Sequence, residues 1–215
     1  MDFEGVFELL VDRARGSGAF KRNKKPLRVK VTSALIYQAG LSCRCVADLL
    51  SLDCETSYEA VRQWFHRLKL ILPKPQLRYR RTLAVDETKL KLKGVQFYVW
   101  AAIDVKHKEL IAYRVSWVRS SLDALIFLGE ALKACVNKPL VLVDKGPWYP
   151  WALAQLGLRF RHVTFGARNR IERWFGLLKA RTKRFYNNFP HNSSLESVRS
   201  FLETFTGLYN MEQGF

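Results

Sequence analysis

At 215 residues, 48% of them hydrophobic, the chain can bury one good-sized core, or one core and a small satellite domain. No run approaches the roughly 18 apolar residues of a membrane span, and the acidic start MDFEGVFELL is unlike an export signal, so a soluble intracellular protein is expected. Lys and Arg number 36 against 19 Asp and Glu, a formal +17, and such a field gathers polyanions, which makes nucleic acid the expected partner.

The first 26 residues hold a short apolar patch (Val6, Leu9, Leu10) and then the basic stretch GSGAFKRNKKP, expected to be a flexible arm. From Leu27 the periodicity turns helical. Val31, Leu35 and Ile36 lead to Gly40, a residue suited to a helix C-terminus. Ser42 can cap a second helix carrying Val46, Leu49 and Leu50. Thr56 and Glu59 then form a T-x-x-E capping box ahead of Val61, Trp64, Phe65 and Leu68, an i, i+3, i+4, i+7 stripe. Three short helices over 27–69 with a turn between the second and third predict a helix-turn-helix. Its last helix would present Ser57, Tyr58, Arg62, Gln63 and His66 to DNA. Cys43, Cys45, Cys54 and Cys135 are expected as free thiols, because the Cys43-x-Cys45 spacing is too tight for a zinc knuckle and no second close pair follows.

Residues 70–81 carry two prolines among basic side chains and read as a semi-rigid linker that meets phosphates. Beyond it, TLAVDETKLKLK, VQFYVWAAIDVK and ELIAYRVSWV alternate as three strands of an antiparallel meander with short turns at KG and KHKE. A helix follows over about 121–136. PLVLVD is a continuous apolar run suited to a strand buried on both faces. A short helix (148–156), a strand in RFRHVTF, a basic helix over about 168–184 and a last amphipathic helix in SLESVRSFLETFTGLYNM complete the order. This β-β-β-α-β-α-β-α succession predicts an α/β, ribonuclease-H-like mixed sheet of five strands flanked by helices over 82–190. The last helix, within 191–215, is expected to pack on that domain.

Three acids hold distinctive positions. Asp86 interrupts the first strand directly after Val85, where Asp is disfavoured. Asp144 ends PLVLV at the carboxyl edge, where α/β sheets place ligands, although a helix cap there is the competing reading. Glu172 is the one acid between Arg168 and Arg184. Cutting a phosphodiester in line requires an activated nucleophile and a stabilised leaving oxygen, which two Mg2+ ions held by carboxylates supply, with Mn2+ as a substitute. Asp86 would bridge both ions, with Asp144 on one and Glu172 on the other. Glu87 alternates to the opposite face of the strand, and Asp104 reads as a turn residue.

The blocks AVDETKLKLKG, FYVWAAIDV, VLVDKGPWY and ARNRIERWFGLLKARTKRF together resemble the catalytic core of insertion-sequence transposases of the IS-six type, over roughly residues 80–190. The N-terminal helices are similar to that family's end-binding segment. The resemblance implies an Asp-Asp-Glu catalytic domain of ribonuclease-H-like fold. It maps Asp86, Asp144 and Glu172 onto the three metal-binding acids, and Lys179 onto the basic residue near the DNA. Between Asp144 and Glu172 lie 27 residues (172 − 144 − 1), fewer than is usual in that family.

It further implies binding to terminal inverted repeats in double-stranded DNA, metal-dependent cleavage and strand transfer into a target. The working form would be a homodimer or larger assembly in a prokaryotic cytoplasm, close to the nucleoid. Arg168, Arg170, Lys179, Arg181 and Arg184 would hold phosphates. The alternatives are a catalytically silent regulator descended from a transposase, or another nuclease or integrase of the same fold.

Overall fold

The computed structural model describes residues 3–20, 24–163, 166–189 and 193–214. In chain order the helices are α1 (Phe3–Ser17), α2 (Leu27–Ala39), α3 (Cys43–Leu50), α4 (Tyr58–Leu68), α5 (Ser121–Leu132), α6 (Tyr149–Gln155), α7 (Asn169–Thr182) and α8 (Leu195–Glu212). The strands are β1 (Thr82–Leu92), β2 (Val95–Asp104), β3 (Leu110–Ser116), β4 (Leu140–Val143), β5 (Phe160–His162) and the two-residue β6 (Asn188–Phe189). The chain divides into two compact units, one of Met1–Pro73 with Ser197–Phe215 and one of Lys74–Glu196.

The first unit is helical. Val6, Leu10 and Ala14 recur at i, i+4 and i+8 along α1 and are buried, together with Val11 and Phe20. This corrects the expected flexible arm: the sequence holds a full amphipathic stripe, and α1 packs on α2. Arg28 of α2 donates to both carboxylate oxygens of Glu8, and the buried Lys30 ammonium donates to the Phe20 carbonyl. Lys21, Arg22 and Asn23 of the basic stretch lie outside the described residues.

Gly40 closes α2 at φ 124°, and Ser42 caps α3 by accepting from the Cys45 N–H. The cap of α4 is Ser57, which accepts from the Ala60 N–H. The expected Thr56–Glu59 box does not form, because Thr56 donates to the Cys54 carbonyl and Glu59 is taken by Arg62 and Gln63. Val61, Trp64, Phe65 and Leu68 are buried as the periodicity requires.

The last helix belongs to this unit from Ser197 onward, which corrects the expectation that it packs on the sheet. Phe201 lies 6.0 Å from Phe65, Glu203 pairs with Lys69, and Gly207 brings the backbone so close to Leu72 that an added Cβ would stand 2.7 Å from it. An amphipathic stripe announces that a helix face is buried without naming the face it is buried against.

The second unit holds the sheet, in the order β3-β2-β1-β4-β5, with β6 beside β1. β1 and β2 are antiparallel, joined at Lys93 and Gly94, both at positive φ (53° and 83°), the conformation of a two-residue hairpin turn. β4 is parallel to β1 and β5 is parallel to β4. One face of the sheet (Leu83, Val85, Trp100, Val141, Val143) packs on α5 and α6 through Phe127, Leu128, Tyr149 and Leu153. α7 lies against β1 and β2, burying Ile171, Trp174, Phe175 and Leu178. Asp104 is the turn residue expected: it accepts from the Lys106 and His107 N–H groups and pairs, fully buried, with Arg80.

The packing of α1 has a direct consequence. Leu10→Ala should lower unfolding stability by about 2–5 kcal/mol in urea, because it empties a fully buried site, whereas a solvated arm would tolerate it within about 0.5 kcal/mol.

Candidate active site

Sheet register decides which acids meet. Ala84 of β1 stands beside Leu142 of β4 in parallel pairing, so two residues further along both strands Asp86 and Asp144 are neighbours on one face. Their charges act on each other. Asp144 directly follows β4, and its Oδ1 accepts from the Gly146 N–H at 2.8 Å. Gly146 is required there, since a Cβ would fall 2.6 Å from the Trp148 ring and 2.9 Å from Asp144 Oδ1. His162 Nδ1 donates to the Asp144 carbonyl at 2.9 Å, tying β5 to the same corner.

Asp86 is half-buried. Its Oδ1 accepts from the Glu87 N–H, and its Oδ2 meets the Arg168 guanidinium at 2.7 Å. Burial pushes the Asp86 carboxyl up to about 6; Arg168 pulls against this, and the charges of Glu87 and Asp144 add to it. Arg168 ends a 3-10 turn (Gly166–Arg168) that runs into α7, and it also donates to the Val163 carbonyl. It was expected to face phosphates; its side chain is instead only 7% exposed and turned onto the acid pair.

Glu87 points the other way, as alternation requires. Its carboxylate accepts from the Tyr149 hydroxyl at 2.6 Å and from Arg119 at 3.1 Å. Arg119 lies 3.8 Å from the Trp148 ring centre and 5.2 Å from that of Tyr98. Burial raises the Glu87 carboxyl while those two donors oppose the rise, and burial beside Glu87 raises the Tyr149 hydroxyl. Nothing in the spacing of Arg119 or Tyr149 marks them; the alternation that removes Glu87 from the acid pair is the signal that it needs partners behind the sheet.

Glu172 occupies the first turn of α7 and is exposed, as is Lys179 two turns on. Among the described residues no three His, Cys, Asp or Glu side chains gather as a metal-holding group. Arg170 is half-buried, Arg184 is exposed, and Arg181 is buried rather than presented to solvent. In the helical unit Tyr58 is exposed, with the Arg44 guanidinium above its ring, and Arg62 is exposed and doubly bonded to Glu59. Gln63 donates to the same carboxylate, and Ser57 is spent as the α4 cap. His66 is directed to the Ser200 hydroxyl at 3.0 Å, and burial holds its ring below the usual imidazole range, so it is not a free reader of bases.

A mixed sheet in this order with helices on both faces is a ribonuclease-H-like arrangement. Residues 81–214 match the model of the IS240-type transposase domain, described as a DDE domain, and the chain belongs to that family. It is 43% identical to an uncharacterised protein of Methanocaldococcus jannaschii, over 98% of this chain and 96% of that one. It is also 49% identical to an uncharacterised protein of Aquifex aeolicus, over 50% of this chain and 73% of that one. Among solved structures it is similar to a chain of the simian T-cell lymphotropic virus intasome in complex with a PP2A regulatory subunit (16% identity, TM-score 0.47, 80% of this chain and 66% of that one). The HTLV-2 integrase catalytic core in complex with magnesium is similar at 14% identity and TM-score 0.45, over 60% of this chain and 85% of that one.

Two hard-oxygen carboxylates side by side, one of them raised by burial and like charge, suit a divalent cation that keeps waters on its other positions. Without a cation, Asp86 holds its proton more tightly in the folded chain than in the unfolded one. That contribution to stability is therefore present below about pH 4 and is lost as pH rises through about 6. In EDTA, the stability of the wild-type chain should fall relative to Asp86→Asn between pH 4.5 and 7.5, by on the order of 2 kcal/mol in urea melts. Parallel pH curves for the two proteins would show that Asp86 titrates as it does in the unfolded chain.

Proposed function

We propose that the protein is a DNA transposase that binds the terminal inverted repeats of an insertion sequence and catalyses metal-dependent cleavage and strand transfer. The observation that carries this reading is Asp86 on β1 and Asp144 just past the parallel strand β4, with interacting charges, in a DDE-family domain. The formal charge of +17 supports a polyanionic substrate.

On this reading Asp86 and Asp144 would hold Mg2+ or Mn2+, two ions in the working complex, and Glu172 would complete the set. Bound Mg2+ supplies the charge that activates a water or 3′ hydroxyl and stabilises the leaving oxygen. The protein's own part is positional. Gly146 fixes the Asp144 carboxylate, and Glu87, held by Tyr149 and Arg119, fixes the strand behind Asp86. Arg168, paired with Asp86 at 2.7 Å, sets positive charge beside the acids and could also meet a substrate phosphate. Lys179 and Arg184 contact phosphates, and Arg62 and Gln63 on α4, with Tyr58, form the end-reading face. Two ends handled together call for a homodimer or larger assembly.

A second reading has an observation of its own. Arg168 on Asp86, with Glu172 exposed, also suits a transposase-derived regulator that binds the ends and does no chemistry.

Strand transfer separates the two. Purified protein is incubated with its own end as an oligonucleotide and supercoiled plasmid, in Mg2+, Mn2+ or EDTA. The wild-type chain should join with metal, while Asp144→Asn and Glu172→Gln abolish joining and leave end binding nearly unchanged. End binding without nicking or joining in either metal would establish the regulator instead, and joining by Glu172→Gln would place the third acid elsewhere. For the α4 face, Arg62→Ala should cost about 1–3 kcal/mol of discrimination between the end and random DNA. Equal loss on both DNAs would make Arg62 a phosphate contact.

A further inference from the structure

The amino-terminal edge of the same sheet holds a cleft that the acid pair does not use. β1, β4 and β5 begin there, with Thr82 beside Leu140 and Val141 beside Phe160. Asp86 lies four residues on from Thr82, about 13 Å along the strand. The cleft has a volume of about 660 Å³ and is lined by Arg81, Lys138, Arg159 and Arg161, with the rings of Tyr79 and Phe160. No acid lines it.

The local chain explains why these side chains are presented. Arg80 is fully buried, donating to the Ala134 and Gln76 carbonyls and pairing with Asp104, while its N–H donates to the Asn137 side chain. With Arg80 turned inward, its neighbours Tyr79 and Arg81 are turned out, and Tyr79 is 70% exposed. β5 is the edge strand, and Phe160, Arg161 and His162 are all exposed. The ion pairs of this unit, among the described residues, engage Arg80, His107, Arg114, Arg119 and Arg168. None of the four cations of the cleft is in an ion pair among the described residues, so an anionic ligand would meet no competing carboxylate there.

We infer that this cleft is a second nucleic-acid site that takes an unpaired DNA strand, its phosphates along Arg81, Lys138, Arg159 and Arg161 and its bases on Tyr79 and Phe160. Cations alone would suit any polyanion. Exposed ring faces set among them favour a single strand, because stacking on aromatic side chains requires bases freed from pairing. The site goes beyond the proposed transposase chemistry and does not depend on the acid pair.

The test uses the full chain with a fluorescent oligothymidylate of about 12 nucleotides, within the span of known single-strand sites, and a duplex of matched length. Tyr79, Phe160, Lys138 and Arg161 are exposed, so their variants should melt like wild type, which thermal unfolding checks. Tyr79→Ala with Phe160→Ala should weaken the oligothymidylate about tenfold or more and leave the duplex unchanged. Lys138→Ala with Arg161→Ala should reduce the salt slope for the single strand by about 1.4.

Unchanged affinity and slope in both double variants overturns the site. Equal loss of duplex and single strand in the charge variant, with the aromatic variant inert, makes the cleft a duplex surface and overturns the single-strand assignment. Tighter binding of oligouridylate, weakened by the same variants, makes the partner RNA and overturns the DNA assignment. Strand transfer is measured on the same preparations. A chain that binds the single strand through Tyr79 and Phe160 yet never joins ends refutes the transposase reading and leaves the cleft standing.

Discussion

The parallel pairing of β1 with β4 is the constraint on which the site depends. With Ala84 set beside Leu142, Asp86 and Asp144 follow two residues on along each chain, close enough for their charges to interact. Burial, more than the charge of Asp144, raises the Asp86 carboxyl to about 6, and the Arg168 guanidinium 2.7 Å from it opposes that rise. Arg168 is thus part of the same electrostatic unit as the two aspartates, and any cation that binds them must compete with it.

Strand alternation then sends two consecutive acids into different surroundings. Asp86 meets the Arg168 guanidinium at the start of α7; Glu87 meets a closed arrangement of Tyr149, Arg119 and the Trp148 ring on the α5 and α6 side. The second arrangement satisfies a buried carboxylate with two donors and leaves it little freedom. Because Tyr149 starts α6 and Asp144 follows β4 five residues earlier, the Glu87–Tyr149 bond also links β1 to the segment that carries Asp144. It holds β1 and the segment after β4 together from behind while the acids face forward.

Much of this was legible in the residues. The alternation of TLAVDETKLKLK placed Asp86 and Glu87 on opposite faces, the apolar run LVLV fixed β4, and the KG turn fixed the first hairpin. These signals are local, with side-chain periods of two or a single turn conformation behind them. What escaped was long-range. The stripe of α1 looked like a patch because its third member, Ala14, is small, and the face of α8 could have served either unit. The inward turns of Arg168 and Arg181 were hidden for a different reason. A basic helix reads as a solvated one, and only the packed structure shows which of its cations are drawn inward.

The third acid shows where such reasoning ends. Sheet register fixes Asp86 and Asp144, but Glu172 sits on a helix whose rotation is set by Ile171, Trp174, Phe175 and Leu178. At 100° per residue, burying Ile171 turns Glu172 away from the buried stripe, and Lys179, seven residues on, turns with it. The apolar packing of α7 and the charge of the acid pair therefore act on different sides of one helix turn. Arg168 sits at the start of that turn and serves the pair in the arrangement seen. On the proposed reading Asp86 and Asp144 would hold the metal with Glu172 completing the set, and divalent charge there would favour a third carboxylate that the bare acid pair repels.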